Sequence, residues 1–174
     1  GGGLFRDVKI ITTDEQQYFV RHPLYITTKD NREVNVQVEV ANYTRNNNVT
    51  LQLDILDAQG KVVYSKKQSI PFERRMKTNE LKWEAITMSS PNLWDIDNPY
   101  LYTAKAYLFD DNNKQIDETS SKFGIRTIEI GPSFGFKLNG KKLLLKGIAN
   151  HHTLGALGAA AYPRAMEKRL EMLK

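Results

Sequence analysis

Two adjacent histidines, His151 and His152, are the residues best suited to chemistry. They follow an apolar run and precede a Gly/Ala-rich segment, in KGIANHHTLGALG over residues 146–158. An imidazole can move a proton, hold a metal, or exchange hydrogen bonds with a hydroxyl. Zinc is disfavoured, because neighbouring histidines at the end of a strand diverge. The only other histidine, His22, is far off in sequence. There is no cysteine, so thiolate metal sites and disulfides are excluded. Gly155 and Gly158 do not form a dinucleotide fingerprint, and nothing reads as a phosphate cradle. No cofactor and no metal are expected. Trp94, Tyr100 and Tyr102 could stack on a sugar, but aromatics in strands more often pack a core.

The elements that must position these residues read as short strands. Phe5–Ile11 and Leu24–Thr28 look extended. Val34, Val36, Val38 and Val40 alternate with Asn35, Gln37 and Glu39, the period of a strand with one buried face. Asn46–Asn48 marks a loop, after which Leu51, Leu53 and Ile55 repeat the alternation. Asp57–Gly60 reads as a turn into Val62–Ile70. Glu80–Met88 is a further strand, with Leu81, Trp83 and Ala85 on one face. Pro91–Pro99 is an irregular connection, followed by a strand at Tyr100–Phe109 and a hairpin loop at Asp110–Asn113. Lys114–Ile130 is the last strand of the series, bent near Gly124. Seven antiparallel strands with turn signals between them predict an immunoglobulin-like β-sandwich, here without the disulfide.

The pattern changes after Gly131-Pro132. Asn139-Gly140 is a hairpin turn leading to a strand over Lys142–Ile148. Past the histidines, Pro163 opens a helix whose Met166, Leu170 and Leu173 fall on one stripe. A strand followed by a helix is half of a repeating β/α unit. The expected fold is therefore mainly β, a sandwich followed by one severed β/α segment, which the family resemblance given below implies to be the first of a truncated (β/α)8 barrel. The chain opens on Gly1-Gly2-Gly3 without a methionine and reads as a piece of a longer protein.

Composition excludes little else. The 174 residues carry 25 Lys and Arg against 20 Asp and Glu, a net charge of +5. The cations are scattered, so nucleic acid is not the expected partner. No apolar run approaches the roughly 20 residues of a membrane helix, and no membrane partner is expected. No signal segment is visible.

Four ordered stretches resemble family-2 glycoside hydrolases, bacterial β-galactosidases in particular. Gly3–Val8 (GLFRDV) is similar to the end of that family's N-terminal jelly roll. Pro91-Asn92-Leu93-Trp94 through Asn98-Pro99-Tyr100-Leu101-Tyr102 resembles its LW…NPYLY motif. Phe123–Glu129 (FGIRTIE) is similar to its FGFRTIE strand. Phe136–Lys141 (FKLNGK) with Leu144–Gly147 (LLKG) resembles its entry into the catalytic barrel.

The resemblance implies residues 1–12 as the tail of a jelly-roll sugar-binding domain or linker, 13–130 as the sandwich, and 131–174 as the start of a TIM barrel. It implies a parent that hydrolyses O-glycosyl bonds with retention, acting on an oligosaccharide or galactoside. Such an enzyme uses two carboxyls about 5 Å apart. In the family both are glutamates on later barrel strands, the acid/base following an asparagine. The one Asn-Glu dipeptide here, Asn79-Glu80, lies in the sandwich and does not match. Asp54, Asp57, Asp110 and Asp111 read as turn or surface residues. No catalytic residue is therefore expected in this chain; both glutamates are expected downstream.

Active-site groups of β/α barrels gather at the carboxyl ends of strands. The resemblance thus implies His151 and His152 as substrate-binding residues at the rim of a sugar pocket. The familiar family form flanks the first histidine with arginine and glutamate, whereas Asn150 and His152 stand here. Arg126 reads as structural. The fragment's expected role is to set the jelly roll against the barrel. The alternative is a stand-alone carbohydrate-binding or adhesion module. Homo-oligomerisation stays open. So does localisation, with a periplasmic or secreted setting favoured for the parent.

Overall fold

The computed structural model describes residues 8–44, 48–71, 77–151, 153–160 and 162–174, with the backbone alone for 77–84. Its contacts divide the chain into two units. One runs from Thr13 to Leu144; the other joins the N-terminal residues up to Thr12 with Leu145–Lys174.

The larger unit is built on two antiparallel sheets. The first has the order β1(Gln17–Lys29), β2(Glu33–Asn42), β5(Lys77–Thr87). The second has the order β4(Val62–Pro71), β3(Asn48–Leu56), β6(Tyr102–Phe109), β7(Gln115–Phe123). β2 and β3 are flanked on both sides, and their alternating apolar residues bear the core. Val34, Val36, Val38 and Val40 of β2, with Leu51, Leu53 and Ile55 of β3, are fully buried. Tyr102, Ala104, Ala106 and Leu108 of β6 join the same cluster. Burying each leucine contributes roughly 2–3 kcal/mol. The period-two pattern thus sets which face turns inward, and the sandwich follows from covering two such faces with each other.

Several departures from the expected strands have local causes. β1 is longer than Leu24–Thr28 and breaks register between Phe19, opposite Val40, and Leu24, opposite Val38. Pro23 has no N–H for the ladder, and His22 takes a left-handed φ of 57°. Across the bulge the backbone N–H of Phe19 donates to Asp117 Oδ2 of β7 at 2.8 Å, tying the two sheets at one edge. In β5, Ala85 has φ 54° next to a register shift, so it is exposed while Ile86 turns inward. The expected alternation therefore breaks at Ala85; the side chains of Leu81 and Trp83 lie outside the described residues.

The Lys114–Ile130 stretch is two strands, not one bent strand. β7 ends at Phe123, and β8(Ile128–Gly131) belongs to a separate sheet of order β10-β9-β8. The break is at Gly124, where an added Cβ would meet Trp94 Cβ at 2.6 Å. β9(Gly135–Leu138) and β10(Lys141–Lys142) form the expected hairpin, with Asn139 at φ 52° and Gly140 at φ 80°.

One expected strand is corrected. Lys142–Ile148 stays in a ladder only through Lys142, with one further bond from Leu143 N–H to the Phe136 carbonyl. A strand needs a neighbour to take its backbone groups. Beyond Leu143 none is found among the described residues, and Leu144, Leu145 and Ile148 are exposed. Within Phe5–Ile11, residues 5–7 lie outside the described set, and Val8–Ile11 form no strand and are exposed.

The smaller unit contains a short 3₁₀ turn over Gly155–Leu157 and α1(Pro163–Leu173). Pro163 stands at the first helical position, where a missing N–H costs nothing. The Tyr162 carbonyl accepts from the N–H groups of Ala165 and Met166. Of the stripe of Met166, Leu170 and Leu173, Met166 is half-buried, and Leu170 and Leu173 are exposed. The least exposed positions are Ala165, Met166 and Arg169.

Candidate functional site

His151 is exposed and lies in coil, eight residues past Leu143 rather than at the end of a strand. The loop around it is held by Arg169 of α1. The guanidinium Nη1 donates to Asn150 Oδ1 at 2.8 Å and to the His151 carbonyl at 3.0 Å. Nη2 donates to the Thr153 carbonyl at 2.8 Å. Just beyond, Leu154 N–H donates to the Gly158 carbonyl at 2.8 Å, and Gly158 N–H to the Gly155 carbonyl at 3.0 Å. Gly155 and Gly158 both take left-handed φ, near 60°, which glycine adopts without strain. The Gly-rich run thus closes a turn.

The His151 imidazole makes no hydrogen bond among the described residues, so both ring nitrogens can meet an incoming hydroxyl. His152, the other expected binding residue, lies outside the described residues. His22 belongs to the larger unit, where its Nε2 accepts from Arg21 Nε at 3.2 Å. Among the described residues no group of three His, Asp or Glu is placed to hold a metal ion.

Of the three aromatics, Tyr102 is in the core, and Trp94 and Tyr100 are half-buried. Tyr102 is buried, and its hydroxyl accepts from Asn92 N–H at 2.9 Å. The Tyr100 hydroxyl accepts from Ala58 N–H at 3.1 Å, pinning the Asp57–Gly60 turn, and its ring meets Tyr102 edge-on. Burial raises the Tyr102 phenol above its usual value. Trp94 carries the Arg126 guanidinium 4.7 Å from its ring centroid. The Trp94 backbone N–H donates to the Ile125 carbonyl at 2.9 Å, so the Pro91–Pro99 connection is an ordered clasp just past the end of β7.

The acidic residues are committed likewise. Asp57 Oδ1 accepts from the N–H groups of Gln59 and Lys61, and Asp110 Oδ1 from those of Asn112 and Lys114. Asp54 is buried and accepts from Ser65 Oγ at 2.6 Å and from Gln52. Asn79 and Glu80 sit mid-β5, opposite Val40 and Glu39.

Two residues escaped the sequence reading. Asn139, read as a turn former, also joins three segments. Its Oδ1 accepts from Thr127 N–H at 3.0 Å, its N–H donates to the Thr127 carbonyl at 2.9 Å, and its Nδ2 donates to the Trp94 carbonyl at 3.0 Å. Arg169 left no signal, since a cation off the apolar stripe of a helix normally faces water.

Comparison with known proteins places these features in a family. The sequence profile of "Glycosyl hydrolases family 2" matches residues 18–126. A β-galactosidase of Bacteroides ovatus is 35% identical over 86% of the chain and 18% of that protein. A putative β-glucuronidase of Formosa agariphila is 34% identical over 99% of the chain and 20% of that protein. The chain thus spans about a fifth of the length of these relatives. A solved family-2 member from Bacteroides cellulosilyticus superposes with TM-score 0.81 at 36% identity, covering 91% of this chain and 21% of that one. A putative β-galactosidase structure from Bacteroides fragilis superposes with TM-score 0.77 at 28% identity, covering 90% of this chain and 24% of that one. With a profile match across the sandwich and relatives that align over nearly every residue, the chain belongs to glycosyl hydrolase family 2.

Proposed function

We propose that the chain is the immunoglobulin-like domain and barrel onset of a retaining β-glycosidase, and that it is not itself catalytic. The single observation that carries this is that Asp57 and Asp110 cap turns and Asp54 is buried against Ser65 and Gln52, in a sandwich that seals its own core. These three carboxylates serve local structure and the Asn79-Glu80 dipeptide stands mid-β5, so none of them is offered as a member of the pair a retaining mechanism needs. The sheet orders β1-β2-β5 and β4-β3-β6-β7 support the immunoglobulin-like reading. The sandwich's role is to hold an N-terminal jelly roll, whose tail is residues 1–12, against a catalytic barrel that starts within 131–174.

His151 and His152 are the chain's contribution to the sugar pocket. A galactoside is the first substrate to test, on the similarity to β-galactosidases; the β-glucuronidase relatives make a uronide the competitor. The full-length protein should hydrolyse an aryl β-galactoside faster than the matching glucuronide or mannoside. A faster glucuronide reaction would overturn the galactoside assignment. No cleavage of any β-glycoside would overturn the glycosidase reading. Saturable binding of galactosides by the sandwich alone would favour a carbohydrate-binding module instead.

A further inference from the structure

The Asn150–Thr153 loop is held by one side chain from a different element. Arg169 is half-buried, on the same side of α1 as Ala165 and Met166. Its two terminal nitrogens reach three acceptors spread over four residues of the loop: Asn150 Oδ1, the His151 carbonyl and the Thr153 carbonyl. A planar guanidinium can span such a set, whereas an ammonium concentrates its donors at one point. The helix's glutamates do not compete for it. Arg164 takes both Glu167, at 2.6 Å, and Glu171, at 3.0 Å. Arg169 has no carboxylate partner among the described residues, so its charge falls on neutral carbonyl and amide oxygens. All three acceptors belong to the loop's backbone or to Asn150, and the His151 ring is left uncommitted.

We propose that Arg169 is the positioning residue of this loop. It holds the Asn150 side chain and the backbone carbonyls of His151 and Thr153 so that the imidazole is presented, already ordered, to a hydroxyl-bearing ligand. The use of that imidazole rests on the glycosidase reading above; the clamp itself does not. Ordering in advance matters because a loop that must be immobilised on binding gives up affinity. Asn150 shares the task as the one side-chain acceptor.

The test is backbone relaxation by NMR on the 174-residue chain, comparing wild type with R169Q, R169K and N150A. In the wild type, order parameters at His151 and Thr153 should match a rigid backbone, about 0.8, and R169Q should lower them below about 0.6. R169K keeps the charge but not the fork, and should not restore them. N150A, which keeps the arginine and two of its acceptors, should fall between. Amide exchange at Leu154 should speed up about tenfold or more in R169Q. Far-UV circular dichroism and the amide shifts of the sandwich report whether α1 and the larger unit stay folded. If the Arg169 variants melt α1, N150A alone decides. Wild-type order parameters in R169Q or R169K, an unchanged loop in N150A, or a wild-type loop already below about 0.6 would each overturn the proposal. Glycoside turnover plays no part in this readout, so failure of the clamp and failure of the glycosidase reading are separate results.

Discussion

The two units hold themselves together by different means. In Thr13–Leu144, β2 and β3 have neighbours on both sides, and their inward residues are sealed from water. In Leu145–Lys174, α1 has no buried residue, and Leu170, Met172 and Leu173 stand in solvent. The side-chain bonds found there are polar: the Arg169 fork on the loop and the Arg164 pairs with Glu167 and Glu171. Hydrophobic burial is cooperative and carries most of a domain's stability, whereas exposed ion pairs add little. The sandwich should therefore set the unfolding transition. The histidine loop should be adjustable without disturbing it.

That contrast can be broken at several points. Leu53→Ala, at a fully buried position of β3, should cost about 2–5 kcal/mol in urea unfolding, the usual price of a core cavity. A loss below about 1 kcal/mol would mean that β3 is not the centre of the core. Gly124→Ala drives a methyl into Trp94 and should cost about 1–3 kcal/mol while shifting the indole fluorescence. An unchanged spectrum would show that the Pro91–Pro99 clasp gives way freely.

Asn139→Ala should cost about 1–2 kcal/mol, from lost bonds to Thr127 and Trp94 and from a left-handed backbone. Asn139→Gly relieves only the backbone part, so the gap between the two variants measures the backbone contribution. Equal losses would place the cost in the hydrogen bonds.

Alkaline pH tests the sandwich from another direction. Burial raises the Tyr64 phenol above its ordinary value, so the folded state favours the neutral form. That contribution is complete below the unfolded value near 10 and is lost as pH rises through the folded value. Tyr64→Phe should flatten the decline of stability above about pH 10; an unchanged slope would remove Tyr64 as its source. The smallest effect belongs to the other unit. Leu170→Ala in α1 should leave the sandwich's unfolding free energy within about 0.5 kcal/mol. A loss of core size there would mean that the two units unfold as one.

The sandwich was legible in the sequence because burial imposes period two. Val34–Val40 and Leu51–Ile55 read directly onto β2 and β3, and Asn139-Gly140 onto a hairpin turn. The same signal failed where hydrophobicity was not matched by a partner. Lys142–Ile148 has a strand's composition, but backbone pairing ends just past Lys142. The β1 bulge was also hidden, since register depends on the neighbouring strand and on Pro23. Of the site, sequence pointed to the histidines but not to Arg169. Its acceptors are mostly backbone carbonyls, which every residue possesses and no side-chain pattern reveals. Asn139 was visible as a turn former only, because its bonds to Thr127 and Trp94 are set by tertiary placement.

The central claim is that this chain frames a glycosidase without performing its chemistry. The direct test is an aryl β-galactoside assay on the purified 174-residue chain, with folding verified by circular dichroism. The account predicts release of the aryl group no faster than in buffer. Turnover at about 1 s⁻¹ or more, abolished by replacing an acidic residue of the chain, would contradict it.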